Sequence, residues 1–172
     1  MVTEVPISSS MKWWEAIHAQ ANTHCCVNTT FTAFKDQFKL IKAAGGIVIS
    51  ENKLLLIFRN KVWDLPKGWI EGDEYPMQAA LREVVEECGK LDLTIQSLNP
   101  IITHHLYPLK GRIVLKETLW YIMSADPNYH LEPQSSEGIS KVAFVDFSDV
   151  EQYTMDSYPM IQWIWEEFKK HK

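Results

Sequence analysis

Cysteine is scarce in this chain: of 172 residues only Cys25, Cys26 and Cys88 carry a thiol. An odd number, with two of the three adjacent, offers no disulfide framework, and the lack of a C-x-x-C pair argues against a zinc site. A reducing, cytoplasmic setting is the expectation. Long apolar runs are lacking too, so no segment approaches the length needed to span a bilayer, and no membrane partner is expected. The first residues, MVTEVPISSSMKWWEAIH, have neither the basic start nor the apolar stretch of a signal peptide. Positive charge is in deficit, with 17 Lys and Arg against 22 Asp and Glu and a net charge of −5. That argues against broad, non-specific binding to nucleic acid but leaves room for a local basic patch that holds a phosphorylated small molecule. Internal repeats and low-complexity segments are absent. What is present is an ordinary globular balance, 46% hydrophobic and 23% charged, in a chain long enough for one cored domain and a small appendage.

Taken in order, MKWWEAIHAQ from Met11 predicts a short helix and Thr23–Val27 a short strand. Thr29 or Thr30 can cap a helix over FTAFKDQFKLIK, where Phe31, Phe34, Phe38 and Ile41 form a helical stripe. A flexible Gly45–Gly46 pair lies within Ala43–Ser50, read as a strand; Glu51–Asn52 turns into a hairpin partner over Lys53–Arg59. VWDLP follows, and Pro66 and Gly68 break the strand into a loop. Gly89 is placed to end the next helix. LDLTIQSL and PIITHHLYPL are strand-like, Gly111 marks a turn, and Arg112–Ala125 is a long strand. Asp126–Gly138 reads as a polar loop, Lys141–Phe147 as a strand, Ser148–Tyr158 as a connection and PMIQWIWEEFKKHK as a closing helix. Strands mixed with a few helices predict an α+β fold, an α/β/α sandwich around one mixed sheet.

The chain is organised around Gly68–Lys90, GWIEGDEYPMQAALREVVEECGK. Glu83, Glu86 and Glu87 fall at i, i+3 and i+4 and so share one side of a helix. Leu81, Val84, Val85 and Cys88 fall on a neighbouring face that can pack into a core. Three clustered carboxylates repel one another unless a cation sits among them. A hard divalent cation such as Mg²⁺, which prefers oxygen ligands, suits them.

As a pattern the stretch resembles the Nudix box, G-x5-E-x7-R-E-U-x-E-E-x-G-U with U aliphatic. Gly68, Glu74, Arg82, Glu83, Val84, Glu86, Glu87 and Gly89 match, and Lys90 stands where an aliphatic residue is usual. The resemblance implies a Nudix domain over residues 43–172 behind an N-terminal appendage, residues 1–42. It implies Mg²⁺-dependent hydrolysis of a pyrophosphate bond in a nucleoside diphosphate-linked substrate, with Mn²⁺ as a substitute. Metal ions neutralise phosphate charge, lower the pKa of a bound water and support the leaving oxygen. On this pattern Glu86 and Glu87 are the first metal ligands and Glu83 the third, with a second role as base or in orienting water. The backbone carbonyl of Lys67 or Gly68 is a further ligand. Arg82, four residues before Glu86, holds a carboxylate in its fork, and Glu74 braces the loop against the helix.

Outside the box the family often takes a further carboxylate from a later loop. Glu137 in LEPQSSEGIS is the leading candidate and Glu132 the second. Arg59 and Lys67 flank the box as candidate phosphate contacts. Tyr107, 17 residues beyond Lys90, is similar to the base-stacking tyrosine of diadenosine polyphosphate hydrolases. LPKG and KETLWYIM also resemble that branch and the diphosphoinositol polyphosphate branch. The proline of ADP-ribose hydrolases is missing near this point, where His104 and His105 stand; on a strand at most one of these faces the cleft. Lys110, Arg112 and Lys116 are read either as a basic rim for polyphosphate or as a solvated strand face. FKLIKAAGGIVIS and LEPQSSEGIS resemble bacterial Nudix proteins with a small N-terminal extension. Simple nucleoside triphosphates, diphosphoinositol polyphosphates and ADP-ribose stay open as substrates, as does a ligand-sensing module without turnover. A homodimer also stays open.

Overall fold

The computed structural model describes Val2–Val5, His24–Val27 and residues 35–170. The helix expected from Met11 and the capped start of the one expected from Thr29 or Thr30 lie outside the described residues. The chain divides into two units, one made of Met1–Ile41 with His105–Lys116, the other of Lys42–His104 with Glu117–Lys172.

In the first unit β1 (Val2–Val5) pairs in parallel with β2 (His24–Val27). The helix expected through Lys42 is not continued there: Lys39–Lys42 already belong to β3 (Lys39–Ser50). The Phe-to-Ile stripe is compatible with a helix, but β-branched Ile41 runs without a break into the extended Ala43–Ser50 segment.

The second unit carries the main sheet. β4 (Lys53–Arg59) turns back on β3 through Glu51–Asn52, β5 (Val62–Asp64) pairs with β4, and β6 (Lys67–Trp69) pairs with β3. Helix α1 (Pro76–Cys88) follows, then β7 (Gly89–Lys90), β8 (Leu93–Ile95), β9 (Ile101–Leu109) and β10 (Arg112–Ala125), of which residues 105–109 and 112–116 fall in the first unit. β11 (His130–Leu131) pairs with β7, and β12 (Ile139–Asp146), α2 (Val150–Thr154) and α3 (Pro159–Lys170) complete the chain. The strand order is β12–β4–β3–β10–β8. Three stretches read as loop carry structure: Lys67–Trp69 is a short strand, Asp126–Gly138 contains β11 and a 3₁₀ turn over Ser135–Glu137, and Ser148–Tyr158 contains α2.

Two cores follow from strand alternation. Ala44, Val48, Leu55, Ile57, Tyr121 and Met123 face α1, whose Ala79, Ala80, Val84 and Cys88 are buried against them. Ile47, Leu54, Leu56, Trp120 and Val145 cluster instead with Ile161, Ile164, Trp165 and Phe168 of α3. The indole N–H of Trp120 donates to Thr103 Oγ1 at 2.8 Å, so this buried ring leaves no polar atom unpaired. The α+β layering, a mixed sheet with helices, is the one the sequence predicts.

Gly45 and Gly46 are not a flexible pair. Both lie buried inside β3, and a Cβ on Gly46 would sit 2.7 Å from Val84 Cγ2. The glycine lets α1 approach the sheet closely, which also explains a helix face built on alanines. Val85, expected in the core, is 41% exposed because that close face is turned through Ala80, Val84 and Cys88.

Candidate active site

Helix α1 begins at Pro76, where a missing N–H costs nothing, and Gln78 Oε1 accepts the Tyr75 N–H at 3.2 Å. It ends at Gly89, whose φ of 101° lies in the region that favours glycine and whose N–H donates to Val85 O. Between these ends the three glutamates take different environments. Glu83 and Glu87, one turn apart, are buried on the sheet side; Glu87 is 2% exposed, while the Glu86 side chain is 46% exposed.

Arg82 ties the loop to the helix. Its Nη1 donates to Glu83 Oε1 at 2.8 Å and Glu86 Oε2 at 3.0 Å. Its Nη2 donates to Glu74 Oε1 at 2.6 Å and Trp69 O at 3.0 Å, and Nε reaches Glu74 Oε2 at 3.2 Å. Glu74 Oε1 also accepts the Glu71 N–H at 2.7 Å. Glu74 chiefly, with Glu83, holds the guanidinium's pKa above its ordinary value, and Arg82 in turn holds the Glu74 carboxyl below its own. A lysine has no fork with which to span these acceptors. Arg82→Lys is therefore expected to lower stability by about 2 kcal/mol, read from urea unfolding, even though the charge is kept.

Glu87 is held from the sheet side. Its Oε2 accepts the Lys67 N–H at 2.8 Å, and its Oε1 lies 3.4 Å from Arg59 Nη1. The other end of the Arg59 fork donates to Glu137 Oε2 at 3.0 Å. Register brings Glu137 there: Ile139 pairs with Arg59, and the 3₁₀ turn over Ser135–Glu137 leads directly into that pairing. The preceding loop is docked on the end of α1, with Glu132 N donating to Cys88 O at 2.9 Å. Glu132 itself is exposed.

Burial pushes the Glu87 carboxyl up to about 7, against the charges of Lys67 and Arg59 and the Lys67 N–H; burial raises Glu83 as well. Because the folded-state value of Glu87 lies above the ordinary 4.5, its protonation stabilises the fold fully below that value, and the contribution is lost as pH rises through about 7. The whole span is worth about 3 kcal/mol. In EDTA, urea unfolding is expected to show the protein weaker at about pH 8 than at about pH 5.5, and Glu87→Gln to flatten the difference.

Among the described residues, no three His, Cys, Asp or Glu side chains converge on one point as a ready cation site. The donor chemistry nonetheless fits a hard divalent ion. All donors are oxygen, Glu83 and Glu86 meet on a single Arg82 nitrogen, and two of the three glutamates are buried acids whose ionised form calls for a positive partner. Here Arg82, Arg59 and the Lys67 ammonium supply that charge. Gly68 closes the site from the sheet, since a Cβ there would lie 1.9 Å from Glu83 Oε2.

The structure thus gathers Arg59, Gly68, Glu74, Arg82, Glu83, Glu86, Glu87 and Glu137, with the Lys67 amide. The Lys67 ammonium is turned to Asp64 and to Leu65 O. Sequence reasoning passed over Asp64; its signal was the D-L-P-K spacing, an acid three residues before a lysine across a proline. Tyr107, Lys110, Arg112 and Lys116 belong to the other unit, where Tyr107 packs its ring 6.1 Å from that of exposed His105. His104 points the other way, to Glu117 Oε2 at 2.9 Å.

Among solved structures the chain is similar to a Caenorhabditis elegans Ap4A hydrolase, in a binary complex, with a TM-score of 0.59 and 21% identity over 76% of this chain and 96% of that one. RenU, a Nudix hydrolase from M. smegmatis, gives a TM-score of 0.61 and 20% identity over 76% and 84%. These likenesses concern the fold. In sequence the chain is 27% identical to the m7GpppN-mRNA hydrolase of Saccharomyces cerevisiae over 154 residues, 80% of this chain. It spans only 15% of the length of that relative. The NUDIX domain profile matches residues 39–164, most of the chain and all of the site just described. With that match the chain belongs to the Nudix hydrolase family.

Proposed function

We propose that this Nudix hydrolase is a Mg²⁺-dependent pyrophosphohydrolase of a nucleoside diphosphate-linked substrate, with a dinucleoside polyphosphate as the leading candidate. The observation that carries it is the junction at Arg59, where buried Glu87 of the box helix and exposed Glu137 of a distant loop share one guanidinium. Glu83, Glu86 and Glu87 would hold the metal, and a carbonyl of Lys67 or Gly68 would add to them. When bound, the metal neutralises phosphate charge and acidifies a coordinated water. Arg82 keeps Glu83 and Glu86 oriented and is fully engaged in doing so. Glu137, 52% exposed, is the carboxylate able to take a proton from an attacking water at the rim. Arg59 holds Glu137 beside the helix and is a candidate cation for phosphate oxygens.

The substrate class rests on the sequence features shared with diadenosine polyphosphate hydrolases and on the fold shared with the Ap4A hydrolase. The test is a product assay over dinucleoside polyphosphates, a cap dinucleotide, nucleoside triphosphates, ADP-ribose and diphosphoinositol polyphosphates, with Mg²⁺, with Mn²⁺ and with EDTA. Metal-dependent cleavage fastest on a dinucleoside polyphosphate is expected. Binding without turnover at saturating Mg²⁺ would make the chain a sensing module instead.

A further inference from the structure

Asp64 is a buried acid that the box does not contain. It ends β5 at 5% exposure, and its Oδ1 accepts the Leu65 N–H at 2.8 Å. Its Oδ2 accepts from Lys67 Nζ, and the same ammonium donates to Leu65 O at 3.2 Å. Side chain and backbone thus close a ring across Pro66. The ring is pinned to β3, because Gly46 N donates to Pro66 O at 3.1 Å and Lys67 pairs with Gly45. At its far side stands the Lys67 N–H, which donates to Glu87 Oε2. A backbone amide cannot swing as a side chain can; its direction is that of the turn that carries it.

We propose that the Asp64–Lys67 pair is an internal strut that sets the Lys67 amide against Glu87, making Asp64 a positioning residue for that carboxylate. The inference rests on the proposed catalytic role of Glu87. A buried ion pair is a costly way to gain stability, since well-packed apolar residues do as well. What it supplies here is geometry: three charge-assisted contacts fix four residues into one conformation. The pair also turns the Lys67 ammonium toward its own turn. That ammonium, with the side chain 13% exposed, makes its bonds there.

Two variants test the strut. Asp64→Asn keeps the size and the acceptor for the Leu65 N–H but removes the charge; Lys67→Met keeps the stem and the amide but removes the ammonium. The first readout, in EDTA, is hydrogen exchange of the amide at position 67 by NMR. Exchange about ten-fold faster in both variants, with the Val48 amide of β3 unchanged, is expected; unchanged protection at position 67 overturns the proposal. The second readout is turnover. kcat should fall on the order of 10–100-fold with KM nearly unchanged and a higher Mg²⁺ concentration for half-saturation, and the double variant should be no worse than the single ones. A Lys67→Met protein that keeps its kcat but raises KM would place the lysine on the substrate and overturn the strut. If the parent protein turns over nothing, the proposed activity fails, while the exchange measurement still decides the strut.

Discussion

Glu87→Gln is expected to lower kcat by on the order of 10²–10³-fold while leaving the protein folded. The two effects separate because Glu87 is a liability to the fold and an asset to the site. Its carboxylate is almost fully buried, and burial is the largest influence on its protonation. A neutral amide of the same shape still accepts the Lys67 N–H, which costs little, and it no longer needs Arg59. At about pH 8 in EDTA the variant should therefore unfold at higher urea concentration than the parent, the reverse of what an ordinary core substitution does. In Mg²⁺ the order should invert, because only the charged parent gains from binding the ion. A variant that loses activity and stability together would show that Glu87 is a structural acid. One that keeps full turnover would remove it from the ligand set.

The box spacing made the chemistry legible, because each fixed residue answers to a local geometry. Glu83 and Glu87 are one helical turn apart wherever the helix is placed, and Gly89 ends that helix whatever it packs against. What periodicity did not convey was depth. It put three glutamates on one side, but two are buried and Glu86 is largely exposed. The reason lies in residues too small to signal a core by size. Ala79 and Ala80 meet a strand that carries Gly46, and the closeness of that contact turns Val85 outward and Glu83 inward. The bond between Arg59 and Glu137 was harder still to see. It joins residues 78 apart and depends on Ile139 pairing with Arg59, a register that no local pattern specifies. Asp64 and Lys67 stand three residues apart in plain view, yet a lysine beside a pyrophosphate-cleaving motif invites a phosphate, and only the fold shows its ammonium turned back on its own turn.

Gly68→Ala should be nearly as damaging to turnover as loss of a glutamate, although it removes no functional group. The added methyl would lie 1.9 Å from Glu83 Oε2, 2.0 Å from its carboxyl carbon and 2.3 Å from Oε1, so the whole carboxylate must move. It has little freedom to do so: Arg82 Nη1 holds Oε1, and Arg82 is itself held by Glu74, Glu86 and the Trp69 carbonyl. Gly68 cannot retreat either, because it is paired with Ala44 in the buried centre of β3. The strain is expected to cost about 1–3 kcal/mol in urea unfolding, the usual range for overpacking. Displacement of a ligand by about an ångström should cost on the order of 10²-fold in kcat. Gly138→Ala is the control. A Cβ there meets nothing within 4 Å, so only its φ of 75° opposes the change, at about 1–2 kcal/mol. The two variants should thus unfold at similar urea concentrations, yet Gly68→Ala should also raise the Mg²⁺ concentration needed for half-maximal rate while Gly138→Ala leaves it in place. Equal Mg²⁺ dependence in the two would mean that the closeness of Gly68 to Glu83 is a matter of packing alone.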